Sequence, residues 1–301
     1  MTKEGRGILY VLIAGIAWGL SGTCGQYLMA RGFPPFLLTS VRMVIAGFCL
    51  SMIAYLKTSP NFIKLLKQPK LVLSIIGFSV IGLLLNQFSY LMAIRETNAG
   101  TATVLQYLCP ILVLAYACFH QKRLPTKIES FSMLAAVSGT FLIATHGQLT
   151  QLAVTPSGLF WGLVAAFSYA SYIVLPIHLI KQWGSLSVNG IGMFCTGLMV
   201  FPFSQPLAFD WQIDAFMILA LLGIIGVGTI LTYTLFLAGA SLIGPVKSSL
   251  LASIEPISAV FFAFWLMGSQ FYLLDLLGMA LILLGVVLIS YRDLKMIKQK
   301  S

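Results

Sequence analysis

The stretch SSLLASIEPISAVFFAFW, residues 248–265, sets one carboxylate, Glu255, and one proline, Pro256, inside a run that otherwise reads as lipid-facing helix. Whether lipid or water surrounds that run decides the fold. Hydrophobic residues make up 59% of the 301-residue chain and charged residues 9%, with a mean hydropathy of +0.96. That leaves too little polar surface to cover a water-soluble domain. Apolar stretches recur from end to end, each long enough to cross about 30 Å of hydrocarbon at about 1.5 Å per residue. Ten are read, at 8–30, 35–57, 71–94, 99–119, 128–146, 157–180, 185–206, 213–238, 244–267 and 271–291. The longest link, between the second and third, is 13 residues, too short for a soluble catalytic or receptor domain. The expected fold class is an all-α integral membrane protein of ten transmembrane helices, forming a single membrane-embedded unit.

Lys3 and Arg6 precede the first span as they would in a signal peptide. That span, however, runs past 20 residues without a small-x-small cleavage site, so it reads as an uncleaved helix. The five cysteines (Cys24, Cys49, Cys109, Cys118 and Cys195) all fall within spans. They are expected to pack, with no disulfide or metal framework. Net charge is +10, yet fifteen of the eighteen basic residues lie on one side if both termini are cytoplasmic. Arg31, Arg42 and Arg95 remain on the other, near Glu96, Asp210, Asp214 and Asp275. The asymmetry fixes orientation in a cell membrane and accounts for the basic balance without a nucleic-acid partner.

Sliding the chain by 146 residues places Gly77 on Gly223, Gly82 on Gly228, Pro110 on Pro256, Glu129 on Asp275 and Gly139 on Gly285. An offset of 151 relates the earlier spans, with Trp18 on Tyr169 and Gly15/Gly19 on Ala166/Ala170. Two five-span units are therefore expected, at 1–147 and 152–293. Because five is odd, the second must enter from the opposite side, giving an inverted repeat about an axis in the membrane plane, which is a transporter architecture.

The pieces AGIAWGLSG (14–22), PPFLLTSVRMVIAG (34–47), LLNQFSYLMAIRETNAGTATVLQYLCPILV (84–113) and TILTYTLFLAGASLIGPVKSSLLASIEPISAVFFAF (229–264) resemble the drug/metabolite transporter superfamily, EamA type. The resemblance covers essentially the whole chain. It implies a bacterial plasma-membrane exporter of small metabolites such as amino acids, with a central cavity lined by spans 1, 3, 4, 6, 8 and 9. Many members carry Gly-Glu after spans 4 and 9, whereas this chain has HQKRL (120–124) and MGSQF (267–271), so no role of those glutamates carries over.

Glu255 lies near the middle of its span, where a charged carboxylate costs about 2.5–3.5 kcal/mol and must face protein or water. Pro256 lacks an amide hydrogen and its ring opposes the Ala252 carbonyl, so the span should break and free a backbone acceptor. Pro110 should act likewise in span 4, making both prolines hinges of two interrupted helices that meet near the repeat axis. Helical spacing puts Ser248, Ala252 and Glu255 on one face, and Ala102, Gln106 and Cys109 on the corresponding face of span 4. Asn86, Gln87 and Tyr90 in span 3 correspond to Thr232, Tyr233 and their surroundings in span 8. Trp18, Tyr169 and Tyr172 add aromatic candidates. The expected substrate-binding set is thus Glu255, Gln106, Asn86, Gln87, Tyr90, Trp18, Tyr169, Tyr172, Thr232, Tyr233 and Ser248.

Each polar residue also has a structural alternative, since intramembrane hydroxyls and amides tie helices together at about 0.6 kcal/mol apiece. Arg42 is read as structural, paired with Glu96 or another outer acid. Lys247 is read as snorkelling to the interface. The small pairs at 15/19 and 158/162 are packing motifs. A membrane enzyme would need an assembled acid, base or metal set, but His120, His146 and His178 stand at span ends, and no HExxH, Gly-x-Ser-x-Gly or phosphate loop occurs. A channel would not require an inverted repeat. The expected mechanism is alternating access around a midplane site, with a small-molecule substrate, the bilayer as surroundings, no cofactor and no required oligomer. Multidrug or organic-cation efflux, or metabolite uptake, stays open on the same fold. So does proton or cation coupling through Glu255.

Overall fold

The computed structural model describes residues 2–146 and 153–300, and every regular element among them is helical. Helix α1 (Lys3–Ala30) starts on Thr2, whose hydroxyl accepts from the Gly5 amide. It is followed through Gly32, at φ +89°, by α2 (Pro35–Leu66). The loop expected over 58–70 is mostly helix instead. After a break at Thr58 the chain winds on through Pro60, because Phe62 and Leu65 are buried and proline suits a first turn. Next come α3 (Pro69–Ser79), a π-helical turn at Val80–Leu84, and α4 (Leu85–Glu96). The first half ends with α5 (Ala99–Gln106), α6 (Cys109–His120) and α7 (Lys127–Thr145).

In the second half, α8 (Pro156–Val174) stops before Pro176, and α9 (Ile177–Trp183) resumes after it, so the expected sixth span is interrupted. Then follow α10 (Ser185–Val200), α11 (Ala215–Leu221), a π-helical stretch at Leu222–Leu231, and α12 (Thr232–Ile243). The last elements are α13 (Pro245–Ala252), α14 (Ile254–Met267) and α15 (Leu273–Lys300). Eight helical stretches among the described residues are long and apolar enough to cross a membrane. The shorter apolar helices α10 and α14 occupy the places of the seventh and ninth expected spans. Apolar side chains point outward, as Leu134 and Val137 of α7 and Phe261 and Trp265 of α14 do, which is tolerable where hydrocarbon is the solvent.

The 146-residue offset seen in the sequence recurs in the element boundaries. Adding 146 to Ala99 and Gln106 gives 245 and 252, the bounds of α13; adding it to Pro69 and Lys127 gives 215 and 273, the starts of α11 and α15. The π turn at Val80–Leu84 shifts to 226–230, inside Leu222–Leu231. The breaks at Tyr107–Leu108 and Ser253 coincide in the same way.

Helices α7 and α15 pack together in a pattern that respects the offset. A side chain on Gly139 would collide with the Gly278 carbonyl oxygen, and one on Gly285 would come within 2.7 Å of the Ser132 carbonyl oxygen. At one end of the pair the Glu129 carboxylate accepts from the Thr126 amide and from both terminal nitrogens of Arg123 at 2.8 Å, and it also pairs with Arg292. At the other end Asp275 accepts from the Tyr272 amide at 2.9 Å and pairs with His146 Nε2 at 2.6 Å. Glu129 and Asp275 are 146 apart, as are His146 and Arg292. Each carboxylate caps the start of one helix and binds a basic side chain from the end of its partner.

These two ends should differ in strength. Glu129 is 1% exposed and accepts charge-assisted bonds from Arg123 and Arg292, so Glu129→Gln is expected to cost about 1.5–3 kcal/mol. Asp275→Asn should cost less, since Asp275 is more exposed and faces one basic side chain instead of two. Reversible unfolding in mixed detergent micelles checks this, and equal losses would contradict it.

Candidate functional site

The two helix breaks face a cavity of about 550 Å³. Pro110 and Pro256 account for the breaks because neither can donate to the carbonyl four residues back. For Pro256 that carbonyl belongs to Ala252, and it accepts the Tyr107 hydroxyl at 2.9 Å. The same hydroxyl lies 3.0 Å from Glu255 Oε2. Tyr107 itself sits at the α5–α6 break, so one interrupted helix supplies the donor that the other lacks.

Ten of the expected residues line this cavity: Glu255, Gln106, Asn86, Gln87, Tyr90 and Trp18, together with Tyr169, Tyr172, Tyr233 and Pro110. Gln106 Nε2 donates to Asn86 Oδ1 at 2.9 Å, joining α5 to α4. Tyr90 exchanges a hydrogen bond with Thr103 at 2.7 Å, and Tyr172 accepts from Asn189 at 3.0 Å. Trp18 stands edge-on to Tyr233 with ring centroids 6.0 Å apart, and Tyr169 stacks with Tyr172 at 6.0 Å. The Gln87 Oε1 atom is buried without a protein partner among the described residues.

Three expected residues do not line it. Ser248 is buried and returns its hydroxyl to the Gly244 carbonyl at 2.8 Å. Thr232, also buried, turns to the Thr229 carbonyl at 3.2 Å. Both behave as hydroxyls in helices commonly do, bonding three or four residues back. Pro256 acts on the backbone while its ring packs in the protein.

Two functional candidates escaped sequence reasoning. Tyr107 is one. Arg42, expected to pair with an outer acid, is the other: it lines the cavity, is 7% exposed, and donates from Nε to Thr229 Oγ1 at 2.8 Å. Glu96, its expected partner, instead lies 3.6 Å from Arg95. Thr229 is positioned by the π-helical stretch, where its hydroxyl also reaches the Ile224 carbonyl five residues back, at 2.9 Å. Towards the surface the lining continues through Ile177 and Ile180 to the exposed Lys181. No group of three or more potential metal ligands occurs among the described residues.

The EamA-like transporter family model matches residues 5–145 and again 156–291. An uncharacterized inner membrane transporter of Salmonella typhimurium, YicL, is 39% identical over 291 residues, covering 96% of this chain and 97% of its own. The uncharacterized transporter YcbK of Bacillus subtilis is 20% identical over 98% of this chain and 96% of its own length. A solved crystal structure aligns with a TM-score of 0.57 at 19% identity, over 98% of this chain and 97% of that one, and shows likeness of fold. Two successive family matches fall on the halves that the offset relates, and they fix the identity: the chain is a multi-pass membrane transporter belonging to the EamA-like transporter family.

Proposed function

We propose that the chain is a secondary transporter that exports small metabolites such as amino acids from a bacterial cell. In this reading two five-helix units of opposite topology, with both termini cytoplasmic, rock about the cavity and expose it to each side in turn. One observation carries the reading: the breaks of two repeat-related helices converge on a single cavity holding buried charged and amide side chains. Half-helices and irregular backbone at membrane depth are stable only around such a protein-lined cavity, and transporter binding sites are built from them. Export and the amino-acid example rest on the family resemblance. The aromatic lining with Glu255 would also suit an organic cation, which makes cation efflux the second reading.

A proteoliposome flux screen with amino acids, nucleosides, sugars and cationic drugs, with and without a pH gradient, tests the proposal. Substrate-dependent flux is expected for at least one class. Glu255→Gln should insert normally and lose that flux or its pH dependence, while Glu255→Asp keeps part of both. Leucine at Pro110 and at Pro256 should slow transport more than it lowers the yield of folded protein. Unchanged flux in the double variant would remove the hinge role.

Orientation has its own check. Ser59→Cys should resist a membrane-impermeant thiol reagent applied to intact cells, because the 58–70 segment faces the cytoplasm in this reading. Labelling from outside would reverse the topology.

A further inference from the structure

Arg42 and Glu255 present an electrostatic problem that the protein itself leaves unsolved. Both line the same cavity and both are at least nine-tenths buried, at 7% and 8% exposure. Neither has an ion-pair partner within 4 Å among the described residues. Arg42 is held by one neutral contact, from Nε to Thr229, and its two terminal nitrogens have no protein acceptor among the described residues. Among the described residues Glu255 has one neutral donor, the Tyr107 hydroxyl, whose single proton Oε2 shares with the Ala252 carbonyl. The other charged side chain in the lining, Lys181, is exposed at the rim, where water screens it.

A buried ion costs several kcal/mol even after relaxation, and that cost persists only if a partner or water offsets it. Elsewhere this chain does pair its charges, as Glu129 does with Arg123 and Arg292. In the cavity, opposite charges stand on separate elements, α2 and α14, each with free hydrogen-bonding capacity toward the interior. A guanidinium with two unclaimed nitrogens suits a carboxylate, which it can bind through two parallel bonds. A carboxylate oriented by a tyrosine hydroxyl suits an ammonium.

We infer that Arg42 and Glu255 grip opposite ends of a zwitterionic substrate, Arg42 taking its carboxylate and Glu255 its ammonium group. The inference rests on the transporter reading and narrows it. A simple amine entering this cavity meets Arg42 with like charge, and a simple acid meets Glu255 with like charge. A zwitterion satisfies both. It also leaves the net charge of the loaded carrier unchanged, so the membrane potential adds no work to the loaded step. Arg42 thereby becomes the residue that separates amino-acid-like solutes from the organic cations that the aromatic lining alone would accept.

The test compares matched solutes in proteoliposomes: leucine, its decarboxylated counterpart 3-methylbutylamine and its deaminated counterpart 4-methylpentanoate, with equivalent trios for the other amino acids. For the transported side chain, the zwitterion should move at least tenfold faster than either counterpart. Arg42→Gln should cut zwitterion flux at least tenfold and narrow its margin over the amine; Glu255→Gln should narrow the margin over the acid. Arg42→Lys should recover part of the flux by restoring the charge. Should the Arg42 variants fail to fold, the trios measured on the parent protein still decide. An amine or an acid carried as well as its zwitterion overturns the charge-pair inference and leaves the transporter reading standing, as does flux of uncharged solutes alone. If no solute of any class crosses, the transporter reading fails and the inference with it.

Discussion

A backbone carbonyl released inside a bilayer has no water to turn to, and the organisation of this protein follows from how that need is met. Pro256 releases the Ala252 carbonyl; the Tyr107 hydroxyl, brought by the other interrupted helix, donates to it and lies 3.0 Å from Glu255 Oε2. Thus the cost of breaking a helix, the seat of the buried carboxylate and the contact between the two repeats share one side chain. Tyr107 continues the α5 ladder, its amide donating to the Thr103 carbonyl at 3.0 Å, so α5 sets the direction of that ring.

The two halves repeat each other in the elements that bend, and one of their differences lies beside the cavity. Under the 151-residue offset Gln26 falls on Ile177. In the first half α1 runs unbroken to Ala30, and Gln26 ties it to its neighbours, accepting from the Ala99 amide at 2.9 Å and donating to Ser269 at 3.2 Å. In the second half the corresponding helix is interrupted before Pro176, and Ile177 lines the cavity. If the halves exchange conformations, as alternating access requires, the tie around Gln26 must open when the chain around Ile177 closes. The asymmetry lies in helix continuity, a property that packing can switch without altering sequence.

Much of this was legible in the chain. The prolines mark the breaks because the missing amide is a covalent fact, and the offset survives because glycine, proline and acidic residues have few substitutes at close contacts and caps. Asn86, Gln106 and Glu255 were readable because polar groups at membrane depth have few places to go. Side-chain direction was less so. Ser248 and Thr232 share the right helical faces in a regular helix, but each satisfies its hydroxyl within its own helix and stays off the cavity. Arg42 was misplaced because its position was counted from the end of a span, whereas a long side chain reaches well beyond its own Cα, and the π-helical stretch brings Thr229 to meet it. Widening a helix by one residue per turn re-aims side chains, and nothing in the composition of LGIIGVGTIL announces it.

The π-helical segments therefore matter beyond geometry. They occur at matching places in both halves; the first packs against the interrupted α8, and the second supplies Thr229, which holds Arg42 of the cavity lining. A π turn carries an extra residue in an otherwise α-helical ladder, so removing or shifting it rotates everything beyond it by part of a turn. In the second half, the residues so rotated would include Tyr233 and Phe236, which enclose Trp18, while Thr229 would lose its reach to the Ile224 carbonyl and its hold on Arg42. One backbone adjustment would thus alter the aromatic wall and the cationic anchor together. Such a shift would tie the contents of the cavity to the shape of the surrounding helices.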